Sequence, residues 1–305
     1  MVRPLKVGVQ LPEVERVVRW PELAEMAQTA ERIGFDSIWV GDHLLYRDHG
    51  PEPVGPWEAW TQLAALAAIT SHVSIGPLVA STSFHDPAML AVKANAIDEI
   101  SGGRLILGLG AGWNETEYQA FDFAYDHRVS RFEEAFTIIR SLLREGHVNF
   151  SGTYFTVRDL PLVPPPHRSG GPPLLIGSTG PRMLEITLPY VDAWNAWFIS
   201  FDNSVEGYLP LRDRVDEACR AVGRNPDDVE RTLAVLVAFD DAVGREAGNE
   251  DEPLPEAIPG GDAQALAATL RAFADAGVGH VQLVLDPITI DSIAALEPML
   301  AALDA

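Results

Sequence analysis

The strongest constraint on this chain is an alternation of short apolar runs with longer amphipathic stretches, kept from end to end. Lys6–Leu11 reads as a strand. A helix pattern follows from Pro21, with Leu23, Ala27, Ala30 and Ile33 on one face and Gly34 as its stop. Ser37–Val40, Val73–Val79 and Arg104–Leu109 repeat the strand signal, separated by helix patterns at about Pro56–Thr70 and Pro87–Ile100. A long amphipathic helix covers about Ser130–Arg144, its stripe formed by Phe132, Phe136, Ile139 and Leu143. Further strands follow at Leu174–Ile176, Asp192–Trp197, Thr232–Phe239 and His280–Leu285. Helices accompany them at Arg182–Pro189, Ser204–Val222, Asp262–Ala276 and about Ile290–Leu303. Near-continuous apolar strands, each followed by an amphipathic helix, imply a parallel sheet covered by helices. Eight such units in 305 residues fit a (β/α)₈ (TIM) barrel. A doubly wound open sheet is the alternative. It would carry a GxGxxG turn after its first strand, where this chain has Gln10-Leu11-Pro12-Glu13.

Two segments break the rhythm. Residues 147–172 contain a hairpin pattern (Val148–Phe150, then Tyr154–Val157) and the proline-rich stretch Pro161–Pro173. Residues 240–261 are acidic and rich in Gly and Pro, and read as a mobile loop. No linker splits the chain, so residues 1–305 are expected to form one domain with these two insertions.

Composition narrows the function. The 22 basic and 44 acidic side chains give a net charge of −22. That excludes a nucleic-acid binder, which needs a basic footprint, and a binder of anionic membrane surfaces. The single cysteine, Cys219, forms no internal disulfide, and no apolar run is long enough to span a bilayer. A cytoplasmic protein with a small-molecule substrate is expected. The eight histidines show no HxH or HExxH spacing, so no metal site is expected.

In a barrel, chemistry gathers at the C-terminal ends of the strands. Asp42-His43 follows the second strand. A histidine titrates near neutral pH and a neighbouring carboxylate can orient it, although the pair is equally a loop cap. Gly108-Leu-Gly-Ala-Gly112 follows the fourth strand and lets backbone approach a flat ring or a phosphate, or simply makes a turn. Gly177-Ser178-Thr179-Gly180 precedes Pro181 and reads as an anion site at a helix N-terminus, or as an ordinary cap. Arg182 would strengthen the anion reading. His85 is either a second site histidine or part of the cap before Pro87. Trp113, Trp194, Trp197 and Phe198 are candidates for an apolar wall or for core. No GxSxG elbow is present.

At these junctions the chain resembles the luciferase-like monooxygenase superfamily, and within it the coenzyme F420-dependent oxidoreductases. Ala30–His43, Asp98–Glu115, His127–Glu134 and Pro172–Gly180 carry the resemblance, which spans nearly the whole chain. It implies a (β/α)₈ barrel with a flavin or deazaflavin at its C-terminal mouth. Asp42 and His43 match the family's aspartate-histidine pair, the aspartate contacting the cofactor and the histidine a candidate acid/base. Leu78-Val79 matches a non-proline cis peptide that forms a bulge against the ring. Ala111 and Gly112 match the segment beside the ring. Gly177, Ser178, Thr179 and Gly180 match the segment near the cofactor phosphate. The sugar-phosphate branch has a glutamate where this chain has Trp113. It also holds the substrate phosphate with lysines, and this chain has only Lys6 and Lys93, neither at those places. The resemblance therefore points to a more apolar substrate, with Trp113, Trp197 and His85 in its pocket. One of the two insertions, residues 240–261 or 147–172, is expected to act as a lid over the substrate. F420 is the expected cofactor and a homodimer the expected assembly. A monooxygenase using reduced FMN and oxygen is the alternative, and a non-catalytic flavin-binding or scaffold barrel is the second.

Overall fold

A computed structural model of the protein describes residues 3–47, 52–244 and 254–305. Its strands are β1 (Lys6–Gln10), β2 (Ser37–Val40), β3 (Ser74–Pro77), β4 (Ala80–Ser81), β5 (Leu107–Gly110), β6 (His147–Ser151), β7 (Thr156–Pro161), β8 (Leu174–Gly177), β9 (Ala193–Ala196), β10 (Glu230–Ala238), β11 (Ile258–Pro259) and β12 (His280–Asp286). Nine of them pair side by side and in parallel, in the order β3-β2-β1-β12-β10-β9-β8-β5-β4, with β11 added beside β10. The two ends of that order, β3 and β4, are halves of one strand, parted by Leu78 and Val79. A bridge from Ile75 to Leu105 and the bond from the Ile106 amide to the Ile75 carbonyl draw the ends together. The result is a nearly closed barrel with eight strand positions, as the alternation predicts, and not an open sheet.

The helices are α1 (Trp20–Ile33), α2 (Ala59–Ile69), α3 (Pro87–Ser101), α4 (Glu115–Phe121), α5 (Arg128–Glu145), α6 (Pro181–Thr187), α7 (Val205–Ala221), α8 (Ala263–Asp275), α9 (Ile290–Ala294) and α10 (Glu297–Asp304). Their ends follow local chemistry. Gly34 takes a left-handed conformation (φ 97°) and closes α1. Asp86 caps α3 by accepting from the Met89 amide, with Pro87 at the first turn. Of the two alternatives for the segment before Pro87, the cap is therefore Asp86. The final helix differs from its expected single span. It stops at Ala294, and a second helix begins with Pro298 in its first turn, where a missing N–H costs nothing. The short α4 was not foreseen. Asn114 caps it by accepting from the Thr116 amide.

The hairpin β6–β7 forms at its predicted place, with a register shift between Val148 and Phe150. Its turn is pinned by Glu134 of α5, whose carboxylate accepts from the amides of Thr153, Tyr154 and Phe155. Further along this insertion, Arg168 forks onto the buried carboxylate of Asp98 in α3, with Nε 3.1 Å from Oδ2. These ties hold residues 147–172 against α3 and α5. Part of the acidic 240–261 segment, residues 245–253, lies outside the described residues. No helix among the described residues is long and apolar enough to cross a membrane.

Candidate functional site

A cleft of about 840 Å³ opens at the C-terminal ends of the barrel strands, within the range usual for cofactor sites. Asp42, His43, Leu78, Val79, Ala111, Gly112, Trp113, Gly177, Ser178, Thr179 and Trp197 all line it, and Phe198 joins them. These residues come from five different strand ends. Only the barrel's closure brings them together.

His43 is built from below. Its Nδ1–H donates to Oε2 of Glu117 at 3.0 Å, which leaves Nε2 as the nitrogen for proton exchange. Glu117 sits on α4, is fully buried, and accepts through Oε1 from the amides of Leu44 and Leu45. One carboxylate thus fixes both the ring and the loop that carries it. Tyr46 and Trp113 flank the imidazole, with centroids 4.9 and 5.5 Å away. Tyr46 in turn donates its hydroxyl to Glu13 at 2.9 Å. Burial pushes the His43 pKa down, while the Glu13 charge and the hydrogen bond and charge of Glu117 push it up. The carboxylates win, and the net shift is upward. Burial, followed by the Glu13 carboxylate, holds the Tyr46 phenol well above its usual range.

Asp42 is also buried. Its Oδ2 accepts from the Ser81 amide at 2.9 Å and lies 2.9 Å from Nε2 of His85. His85 therefore stands behind Asp42 and does not line the cleft, which corrects its expected place in the substrate pocket. The Trp60 indole N–H occupies the same His85 nitrogen at 3.1 Å and keeps the ring turned inward.

The peptide bond between Leu78 and Val79 is cis, as the resemblance implies. The Val79 side chain lies across three glycines. A Cβ built on Gly108, Gly110 or Gly177 would come within about 3 Å of a Val79 methyl carbon. Gly108 and Gly110 thus make room for Val79 as well as for any ligand. Gly112 has φ +77°, and its missing Cβ would strike the Tyr118 hydroxyl and Ser81 Oγ.

Two further expectations need correction. Gly180 caps α6 and is not among the cleft residues. Arg182 points away from the cleft, donating to Ser130 and Glu133 at 3.0 Å each on an exposed surface. No lysine or arginine among the described residues lines the cleft. Of the two lid candidates, residues 147–172 contribute nothing to it, because their anchors lie on α3 and α5. From the acidic segment, Leu254 reaches the cleft. Trp194 is fully buried core, its indole N–H donating to the Ser178 carbonyl at 2.7 Å. Sequence reading missed Glu117, Glu13, Gln10 and Asn195, all of which line the cleft. Glu117 lies in the quoted Trp113-Asn-Glu-Thr-Glu117 stretch but shows its role only once α4 is folded. Among the described residues, no group of three or more His, Cys, Asp or Glu is placed to hold a metal.

The family model for luciferase-like monooxygenases matches residues 5–247. The chain is 31% identical over 244 residues to an F420-dependent glucose-6-phosphate dehydrogenase of Amycolatopsis mediterranei (strain U-32), covering 77% of this chain and 70% of that protein. It is 30% identical over 256 residues to a phthiodiolone/phenolphthiodiolone dimycocerosates ketoreductase of Mycobacterium bovis (strain BCG / Pasteur 1173P2), covering 73% and 67%. A solved F420-dependent secondary alcohol dehydrogenase, in complex with an F420-acetone adduct, superposes with a TM-score of 0.79 at 21% identity, covering 98% of this chain and 99% of that one. On the strength of the family match and the two sequence relatives, the chain belongs to the luciferase-like monooxygenase family.

Proposed function

We propose that this protein is an F420-dependent oxidoreductase that exchanges a hydride with a neutral, largely apolar substrate. The carrying observation is the convergence of Asp42, His43, Leu78 and Val79 on one cleft. The F420-dependent activities named for the relatives support the choice of cofactor. A deazaflavin fits the residues present. Leu78 and Val79 offer an apolar shelf, and Gln10, which lines the cleft, has a buried side-chain oxygen with no partner. Ser178 and Thr179 would receive the phosphate through hydroxyls and amides, and Asp42 would hold the ring. Bound F420 supplies the carbon that accepts or delivers the hydride. The protein's own part is orientation and proton handling at His43 Nε2.

Trp113 and the Trp197–Ile199 segment make the substrate side apolar. With Ser178 and Thr179 given to the cofactor phosphate, the described cleft has no lysine or arginine to hold a second one, so we place a sugar phosphate outside its substrates. Fluorescence titration of the purified protein with F420 and with FMN tests the proposal. Saturable quenching by F420, with FMN much weaker, is expected. Tight FMN binding without F420 binding would favour the monooxygenase reading and overturn this one, and binding of neither would favour a non-catalytic barrel. Turnover of glucose 6-phosphate would contradict the substrate assignment.

A further inference from the structure

Behind the cleft, two polar groups meet at one histidine nitrogen. His85 Nε2 lies 2.9 Å from Asp42 Oδ2 and 3.1 Å from Trp60 Nε1. The Asp42 and Trp60 side chains are buried, and His85 is only 10% exposed. An indole nitrogen only donates, and an imidazole nitrogen either carries a hydrogen or offers a lone pair. If His85 Nε2 carries the hydrogen, it donates to Asp42, and the Trp60 N–H is left facing another N–H in a buried place. If Nε2 offers its lone pair, it accepts from Trp60, and the hydrogen between His85 and Asp42 belongs to the carboxyl group. Trp60 therefore pulls the shared proton toward Asp42. The Ser81 amide, donating to the same Oδ2, pulls it back by favouring the anion. Other groups close to the pair are His43 beside Asp42, Glu117 behind His43, and Asp86, whose carboxylate is spent on the Met89 amide.

We propose that Asp42 and His85 share one movable proton whose position follows the charge of the ligand in the cleft, making His85 a positioning residue for Asp42. The inference rests on the hydride-transfer function proposed above. Adding a hydride to a ring adds one negative charge, and removing it takes that charge away. Against a hydride-loaded ligand, the proton sits on Asp42 Oδ2 and the cleft face is a neutral carboxyl. Against the oxidised ligand, the proton moves to His85 Nε2 and leaves a carboxylate beside an imidazolium. The O–H bond breaks as the N–H bond forms, no electron moves, and the total number of protons stays fixed. The protein can then pair with both redox states without exchanging a proton with solvent through the buried end of the site.

Nitrogen NMR of histidine-labelled protein tests this directly, because a ring nitrogen with a lone pair and one with a hydrogen resonate far apart. The His85 signal is assigned by its loss in His85→Phe. In the ligand-free protein and with reduced F420, Nε2 is expected to show lone-pair character. With oxidised F420 it is expected to gain a hydrogen. In Trp60→Phe, Nε2 is expected to carry the hydrogen in all three states. In His85→Phe, the ratio of affinities for reduced and oxidised F420 is expected to change by about tenfold or more, the effect of moving one protonation equilibrium by a unit. A hydrogen on Nε2 in every state of the wild type, or an unchanged ratio in a folded His85→Phe, would overturn the proposal. If F420 does not bind, the function above fails. The resting position of the proton is still decided by the ligand-free spectrum, where a hydrogen on Nε2 refutes the bias assigned to Trp60.

Discussion

Glu117 shows how much of the site's chemistry is decided by a residue with no obvious claim to it. It is fully buried, 74 positions from His43, and its carboxylate fixes the imidazole and two loop amides at once. Glu117→Gln keeps the size but removes the charge. The His43 pKa is then expected to fall, which a pH–rate profile or a histidine NMR titration will show as a shift toward acid. The sign for stability follows from the same shift. His43 has a raised folded-state pKa, so it contributes stability fully below the unfolded value of about 6.5 and loses that contribution as pH rises through the folded value. The Gln variant is expected to flatten this dependence in urea unfolding measured across the window. His43→Ala is expected to lower kcat about 100-fold or more with little change in F420 affinity, the usual weight of a positioned acid or base. Gly112→Ala is expected to cost about 1–3 kcal/mol, since its φ of +77° suits glycine and a Cβ meets Tyr118 and Ser81. Asp42 and His43 were legible in sequence because they end a strand. His85 was legible as a candidate but not in its place, since only the fold puts it behind Asp42.

At the scale of elements, the segments that most resemble the family carry architecture as much as chemistry. In Asp98–Glu115, Asp98 receives the fork of Arg168 while Arg104 donates to the Ala67, Thr70, Val73 and Ser101 carbonyls and to the Thr70 hydroxyl. Arg104 thereby closes the C-terminal end of α2 and joins it to the approach to β5. In His127–Glu134, Glu134 holds the hairpin turn, and the Arg131 guanidinium lies 4.4 Å from the Tyr154 ring centroid. Arg168→Ala would strand the Asp98 carboxylate in the interior. Removing one partner of such a buried pair costs ~3–5 kcal/mol, and the partial exposure of Arg168 places this loss near the lower figure. Chemical denaturation of the variant against the wild type checks it. The strand positions were readable because parallel strands buried on both faces leave long apolar runs. The division of the third strand was not readable from periodicity. Nothing in the hydropathy of Val73–Val79 marks the cis bond, and only the resemblance pointed to it. The break between α9 and α10 was signalled by Pro298, which the helical pattern of the last turns outweighed.

Over the whole molecule, the net charge of −22 opposes an anionic cofactor, and the described cleft holds no arginine or lysine to offset it. Salt should then screen a repulsion. F420 affinity is expected to hold or rise between low and physiological ionic strength, whereas affinity falling steeply with salt would place an unseen cationic clamp at the site. The barrel interior adds a second pH response. Trp39 donates its indole N–H to Ser37 Oγ, which lies 2.7 Å from Nε2 of His280, and burial pushes the His280 pKa down to about 3. The unfolded chain therefore takes up a proton that the folded one refuses. As pH falls from about 6.5 toward 3, this group alone costs up to about 1.4 kcal/mol of stability per pH unit. His280→Asn is expected to reduce the acid sensitivity of unfolding.

The central claim is that the cleft at the strand ends is a deazaflavin site. A crystal structure of the protein grown with F420 tests it most directly. The account predicts the ring against Leu78–Val79, within reach of Asp42 and His43, with the phosphate at Ser178 and Thr179. An empty cleft at saturating F420, or the cofactor bound elsewhere on the barrel, would contradict it.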